Sequence, residues 1–183
     1  MKNNGSDKKG AAKAADEAKG KAARPGAARN ARFAQSFANI IAVLMRDPGF
    51  RTLRIADLEW LVLPAIMSGQ WRIAQATVES AQPAPAGGQK SSFVVPAAIA
   101  LWARVSPAVD ARLSSDLDKP LALKPNEWMS GDIHWLIAVA GDKRVVPKFV
   151  ETLMKDVFKD KPVKSRVMGS DGKVVVRTQG KTT

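Results

Sequence analysis

Apolar residues recur at helical spacing in two stretches of the chain, and each stretch predicts an amphipathic helix. The first runs from Phe33 to Met45, with apolar side chains three or four residues apart. The sequence Asp47-Pro48-Gly49 is expected to end this helix, because proline cannot continue the hydrogen-bond ladder. The second stretch covers residues 145–158.

Two shorter helices are predicted from local signals. One covers residues 54–62 and is expected to stop at Pro64. The other begins at Ser106-Pro107, since serine is a good N-cap and proline suits the first helical position. It is expected to continue to about residue 117.

Five runs rich in branched or alternating apolar residues predict strands. They cover residues 70–78, 93–105, 133–140, 163–168 and 174–178. The first two flank a loop over 79–92, and the last two flank a turn at Asp171-Gly172, so each pair is expected to form an antiparallel hairpin. Pro96 lies inside the second run and predicts an edge or a bulge there. The fold class is therefore α/β (α+β), with a mostly antiparallel sheet flanked by helices.

Composition limits the classes of protein that this chain can be. Its 183 residues fit one domain with a tail, and 45% apolar residues suffice for a core. The absence of cysteine excludes disulfides and thiolate metal sites, and a single histidine leaves little for any other metal centre. We predict no metal and no bound cofactor. No apolar run is long enough for a membrane span, and the basic start lacks the apolar core of a secretory signal, so a cytoplasmic protein is expected.

The net charge of +12 lies at the two ends of the chain. Residues 1–30 carry 8 Lys/Arg and 3 Asp/Glu, which gives +5, whereas residues 31–142 carry 10 of each. Residues 143–183 carry 11 against 4, which gives +7. Residues 1–30 are mostly Lys, Ala and Gly, so a disordered basic tail is predicted ahead of a single domain at 31–183. A solubilising or interaction tail, a nucleic-acid-binding arm and a targeting role remain open for it, although no aromatic residue supports base stacking.

Generic chemical motifs are missing from the sequence. It has no Walker-type phosphate loop, no GxSxG and no HExxH. Five tryptophans indicate packing in the core, with the lining of an acyl-chain pocket as the alternative. His134 is the one imidazole, and it is interpreted either as a packed residue or as a general base.

Three stretches of the sequence are more specific than these general signals. They are DLEWLVLPAIMSGQWRI (57–73), ALWARVSPAVDARL (100–113) and EWMSGDIHWLIAVA (127–140). Together they resemble the toxin-activating lysine-acyltransferases, which act on RTX protoxins, and VFKDKPVKSRV (157–167) fits the C-terminal part of the same family. The most specific matches are the Leu-Pro-Ala-Ile core at 63–66 and the W-x-SGD-x-x-W pattern at 128–135, which contains Ser130, Gly131 and Asp132.

This resemblance implies a GNAT-like fold and transfer of a fatty acyl group from acyl carrier protein to internal lysines of a protoxin. It also implies a catalytic His in an S-P-x-H motif and an Asp in the strand after the SGD sequence. The chain departs from the family at both positions, because Phe50 stands at the His position and Ala138 at the Asp position. Neither side chain can accept or orient a proton.

Two hypotheses follow. In the first, the protein is an acyltransferase with a relocated base, for which His134 is the candidate because it is expected to share a strand face with Leu136 and Ala138. In the second, it is a catalytically silent relative that binds a protoxin, an acyl carrier protein or an active paralogue. Nucleic-acid binding by the tail is a distant third. The basic C-terminal segment suits an acidic carrier protein, and homodimerisation is compatible with the family.

Overall fold

The computed structural model describes residues 25–79, 92–159 and 161–180. The chain divides into two compact units, residues 1–35 and residues 36–183. Of the first unit, the described part is residues 25–35, which are helical.

Five α-helices and three short 3₁₀ turns are found in the described residues. The helices are α1 (Pro25–Leu44), α2 (Leu58–Leu61), α3 (Leu63–Ser68), α4 (Pro107–Ser115) and α5 (Val146–Asp156). The 3₁₀ turns are Pro48–Phe50, Ile55–Asp57 and Pro125–Glu127. No helix in the described ranges is both long enough and apolar enough to cross a bilayer.

The strands form a single five-stranded sheet whose spatial order equals the chain order. The strands are β1 (Trp71–Glu79), β2 (Ser92–Val105), β3 (Ile133–Gly141), β4 (Val163–Met168) and β5 (Val174–Gln179). Neighbours are antiparallel except β3 and β4, which are parallel and are joined through α5. This confirms the predicted α+β class with a mostly antiparallel sheet.

The parallel pair is short. β4 pairs with residues 134–136 of β3, and no further pairs follow. From Ile137 to Ala140, β3 therefore has β2 as a strand partner on one side and no strand partner on the other within the described residues.

Each face of the sheet has its own apolar cluster. The larger cluster joins the sheet to α1, α2, α3 and α4, and Ile40, Val62, Leu113 and Trp135 are buried in it. The smaller cluster lies under α5 and contains Trp102, Leu153 and Phe158, among others. Apolar burial on both faces accounts for the near-continuous run of buried residues at 98–103 in β2.

Two predictions about element boundaries need correction. Helix α1 begins at Pro25 and not near Phe33, so residues 25–30 are helical. Pro64 does not stop a helix but lies in the first turn of α3, where its missing N–H costs nothing. The predicted disorder of residues 1–24 and the predicted loop at 80–91 lie outside the described residues.

The other predicted elements are found at the expected places. Ser106 caps α4 by accepting a hydrogen bond from the Val109 N–H, at 3.4 Å. The bulge predicted at Pro96 is present, because Ala74 pairs with Ala98 and Gln75 with Pro96.

Candidate functional site

The turn at Asp47-Pro48-Gly49, which leads into Phe50, is fixed by one carboxylate. Asp47 Oδ1 accepts from the Gly49 N–H at 2.9 Å and closes the turn. Asp47 Oδ2 accepts from the Gly141 N–H at 3.0 Å, ninety-four residues later in the chain. This turn is therefore tied directly to the C-terminal end of β3, the strand that contains Ala138.

Phe50 belongs to the apolar core at the end of this turn. It is half-buried and packs against the larger cluster, to which Ala138 also belongs. Gly49 and Phe50 line a pocket of about 410 Å³ with Trp60 and Asp57. The side chain at position 50 thus has both an apolar contact and an open space beside it, but it has no group that can take up a proton.

Asp57, which lines this pocket, is not free to act as a base. Hydrogen bonds from the backbone and side chain of Arg54 lower the pKa of the Asp57 carboxyl. The indole N–H of Trp60 donates to its other oxygen at 3.4 Å. These contacts hold the carboxylate ionised as a cap of the 3₁₀ turn Ile55–Asp57.

A larger pocket of about 520 Å³ is lined in part by Asp47. Its apolar walls come from α1 and from the β1–β2 hairpin, and include Val43, Val78 and Val95. Its charged residues are Arg46, Asp47, Asp142 and Arg144. An apolar pocket with a few charged groups at its mouth has the general form of a small-molecule site.

The second acidic residue of this pocket is also paired. Arg144 donates from Nη2 to Asp142 Oδ2 at 2.7 Å and from Nε to Oδ1 at 3.1 Å. This bidentate pair and the Arg144 backbone N–H lower the pKa of Asp142 to about 2. A carboxylate held in that way stays ionised near neutral pH and is a weak proton acceptor.

A β-bulge separates His134 from Ala138. Leu101 pairs with Ala138 and Trp102 with Leu136, so Ile137 is an extra residue in β3. Leu136 and Val139 pack in the cluster under α5, whereas Ile137 and Ala138 both pack in the larger cluster.

His134 contacts Phe158 of the cluster under α5, with ring centroids 5.5 Å apart. Ala138 therefore lies on the opposite face of the sheet. The expectation that His134 and Ala138 share a strand face is wrong, because the bulge reverses the alternation between them, although the expectation for Leu136 is correct.

The surroundings of His134 keep its imidazole neutral. Burial lowers its pKa, and the charges of Lys161 and Arg104 lower it further, with partial opposition from Asp132. A neutral ring can accept a proton. However, no carboxylate within the described residues hydrogen-bonds to this ring, so nothing orients it as a base.

The Ser130-Gly131-Asp132 sequence supports the fold around β3. Ser130 Oγ accepts from the Ser106 N–H at 2.9 Å and donates to the Glu127 carbonyl at 2.9 Å, which fixes the start of α4. A Cβ on Gly131 would lie 2.5 Å from the Val105 carbonyl oxygen, so only glycine fits there. The motif therefore has an evident packing role, and Asp132 is the member nearest His134 in sequence.

Both tryptophans of the W-x-SGD-x-x-W pattern are buried and hydrogen-bonded. Trp128 donates from Nε1 to the Trp60 carbonyl at 3.0 Å, and Trp135 donates to Asp110 Oδ1 at 2.7 Å. Asp110 also pairs with Lys164 at 2.8 Å, which links α4 to β4. The packing interpretation of these two tryptophans agrees with their positions.

Sequence reasoning missed the tie between Asp47 and Gly141. The sequence signals include Asp47 only as part of the predicted helix end, and they assign no role to Gly141. A glycine at the end of a buried strand was the available signal, because Gly141 has φ 138° and a Cβ there would lie 2.3 Å from the Ala97 carbonyl oxygen. Within the described residues, no group of three or more His, Asp or Glu side chains could hold a metal ion.

Comparison with known proteins gives one family. A family model described as the RTX toxin acyltransferase family matches residues 90–180, about half of the chain. A search of the curated proteins finds no match. The matched range contains β2 to β5, both tryptophans of the SGD pattern, and α4 and α5.

Proposed function

Because the chain belongs to the RTX toxin acyltransferase family as a divergent member, we propose that it transfers a fatty acyl group from acyl carrier protein to internal lysines of an RTX protoxin. The family membership implies acyltransferase activity and a protoxin substrate in general terms. Beyond this, we propose that the donor is an acyl carrier protein and that the acceptor is a lysine. We also propose that the fold is GNAT-like and that the protein acts in the cytoplasm.

The chemistry requires a deprotonated amine. The lysine ammonium loses one proton, and the neutral Nζ attacks the thioester carbonyl and forms a C–N bond. The nitrogen then gives up a second proton as the C–S bond breaks, and the leaving carrier thiolate takes up that proton to become the thiol. General base assistance is worth about 10²- to 10⁴-fold in such a step. A protein without a well-placed base can therefore catalyse the transfer by binding and orientation, but more slowly.

The side of β3 that lacks a strand partner supports a site for the donor. From Ile137 to Ala140 the strand has no partner on the side away from β2 in the described part of the chain, and Ala138 and Ala140 are buried. Buried backbone N–H and C=O groups need hydrogen-bond partners. The arm by which a carrier protein holds its thioester contains amide groups, which can supply such partners along an extended strand.

A single-turnover assay tests the proposal. Purified protein is mixed with fatty-acyl carrier protein and a protoxin fragment, and the fragment is analysed by mass spectrometry. We expect acylation of a lysine, and no product when that lysine is replaced by arginine in the fragment. Hydrolysis of the thioester without any acyl-lysine would contradict the proposal.

A second function is favoured by the site itself. The resemblance aligns Phe50 and Ala138 with the family's catalytic His and Asp, and His134 lies on the face of the sheet opposite to Ala138. These observations support a silent relative that binds the protoxin, the carrier protein or an active paralogue without acylating anything. In that case the unmodified protein shows no transfer, and restoring the family's pair in Phe50→His/Ala138→Asp creates it.

A double-mutant cycle shows whether the two positions can cooperate at all. Ala138 is buried, so Ala138→Asp alone is expected to cost about 3–5 kcal/mol of unfolding free energy through an unpaired buried carboxylate. If position 50 faces it, adding Phe50→His recovers about 1–3 kcal/mol in urea unfolding. Ala140→Asp, equally buried in the same cluster, is the control that a histidine at position 50 should not rescue.

A further inference from the structure

Strand β1 is the edge of the sheet, and no strand among the described residues pairs with its outer side. It has nine residues and pairs with β2 along its whole length. None of its residues from Trp71 to Val78 has a hydrogen bond or ion pair to the undescribed segments. Edge strands of this length are usually protected by proline, by a bulge of their own or by several charges, whereas β1 contains no proline and has Arg72 and Glu79 as its charged residues.

A groove of about 600 Å³ runs between this edge and helix α5. On one side it is lined by four consecutive residues, 72–75. Because side chains in a strand alternate between the two faces, what four consecutive residues present to one groove is their backbone edge. The other wall is a stripe along α5 that includes Phe149, Thr152 and Asp156.

The groove combines apolar contact with three charged side chains, Arg72, Lys148 and Asp156. Phe149, Leu153 and Val157 contribute apolar surface. Arg72 lies 5.8 Å from the centroid of the Trp102 ring, and no carboxylate in the described residues pairs with it. The groove therefore suits a chain that supplies backbone hydrogen bonds, alternating apolar side chains and a negative charge opposite Arg72.

We propose that β1 and α5 form the docking groove for an extended segment of the acceptor protein, which adds to the sheet as a sixth strand beside β1. The segment alternates apolar and polar residues and carries an acidic side chain that meets Arg72. This proposal rests on the proposed function, because it takes the acceptor to be a polypeptide. Thr77 and Val78, near the C-terminal end of β1, line the pocket that Asp47 also lines. A strand added along β1 therefore leads towards the candidate site.

Peptide binding to the full chain tests the groove without any acyl donor. The probe is a capped peptide of about ten residues, matched to β1, that alternates threonine and valine around a central glutamate. Binding is followed by the amide NMR signals of residues 72–76. Two further peptides carry N-methyl groups on the odd or on the even residues, so that each loses the donors along one edge. Strand addition predicts that one of the two no longer binds while the other does.

Charge reversal supplies the matched control. Arg72→Glu is expected to weaken binding of the glutamate peptide about fivefold and to improve binding of a lysine peptide by a similar factor. Arg177→Glu changes an exposed arginine in β5, the opposite edge strand, and should change neither affinity.

Three results would overturn the proposal. The first is that the amide signals of residues 72–76 do not change at about 1 mM peptide. The second is that both N-methylated peptides bind equally well. The third is a dimer in sedimentation that Arg72→Glu dissociates, since this would assign the edge of β1 to a second copy of the chain. Failure of the acyl-transfer chemistry is detected separately with a small lysine derivative as acceptor, which does not need the groove.

Discussion

A single side chain, Asp47, connects the two ends of the candidate site. Its two carboxylate oxygens accept backbone N–H groups from Gly49 and from Gly141. The first bond shapes the turn before Phe50, and the second sets that turn against β3. Loss of this carboxylate leaves two backbone donors without their acceptor.

Asp47→Ala should therefore lower the free energy of unfolding by about 1–3 kcal/mol, because an unsatisfied half-buried donor costs more than a hydrogen bond gains. Asp47→Asn keeps one acceptor oxygen and should cost less. Urea unfolding followed by tryptophan fluorescence measures both. Asp171→Ala removes an exposed acceptor of the Lys173 N–H in the β4–β5 turn and is the control, with a smaller loss expected. Equal losses at the two positions would contradict this account.

His134 makes stability depend on pH in a defined direction. Its pKa is lowered in the folded state, mainly by burial and then by Lys161 and Arg104. The unfolded chain therefore binds more protons below about pH 6.5, and the folded state loses stability as the pH falls through that value. His134→Phe keeps a ring against Phe158 and should remove the part of the stability loss between pH 8 and pH 5 that is due to His134. Denaturant midpoints at the two pH values measure it, and an unchanged pH dependence in the variant would contradict it.

At the scale of elements, strand β3 shows how far the sequence can be read. The apolar run at 133–140 predicted the strand, and Ser106-Pro107 predicted the start of α4, because both signals are local. The face of Ala138 could not be predicted, since the bulge at Ile137 depends on the register with β2. Pro64 was misread for a similar reason: a proline can end one helix or begin the next, and neighbouring packing decides which.

The same strand ends at a position that only glycine can occupy. Gly141 has φ 138°, and a Cβ there would lie 2.3 Å from the Ala97 carbonyl oxygen. Gly141→Ala should cost about 3–5 kcal/mol in thermal or urea unfolding, through backbone strain and overlap together. Gly172→Ala is the matched control, because Gly172 also has a positive φ but open space around it, and about 1 kcal/mol is expected. Similar losses would show that overlap at Gly141 is relieved elsewhere.

For the molecule as a whole, the net positive charge is unevenly distributed along the chain. Residues 31–142 are neutral, and residues 143–183 carry +7. The latter range supplies α5, β4 and β5, so this part of the fold presents excess positive charge. Such charge mainly accelerates the encounter with an acidic partner and contributes less to the final affinity.

Association with an acyl carrier protein should therefore slow as salt is added. We expect the association rate constant to fall about tenfold between low and high ionic strength, with a smaller change in the dissociation rate. Stopped-flow fluorescence measures both. Lys159→Gln/Lys161→Gln should reduce the salt dependence, whereas Arg51→Gln/Arg54→Gln, which removes the same charge from the neutral range, should leave it nearly unchanged. A rate that does not respond to salt would contradict a role for this charge.

The order of the strands also has a consequence for how the chain acquires its structure. Each strand of the sheet lies beside the one that precedes it in sequence. During synthesis, each new strand therefore emerges when the strand with which it pairs has already been made. The β1–β2–β3 meander can close by local steps, and β4 alone must wait for α5 to cross the sheet. We therefore expect nascent chains whose residues up to 141 have emerged from the ribosome to hold a meander that already resists proteolysis, with the parallel pair as the last step of folding.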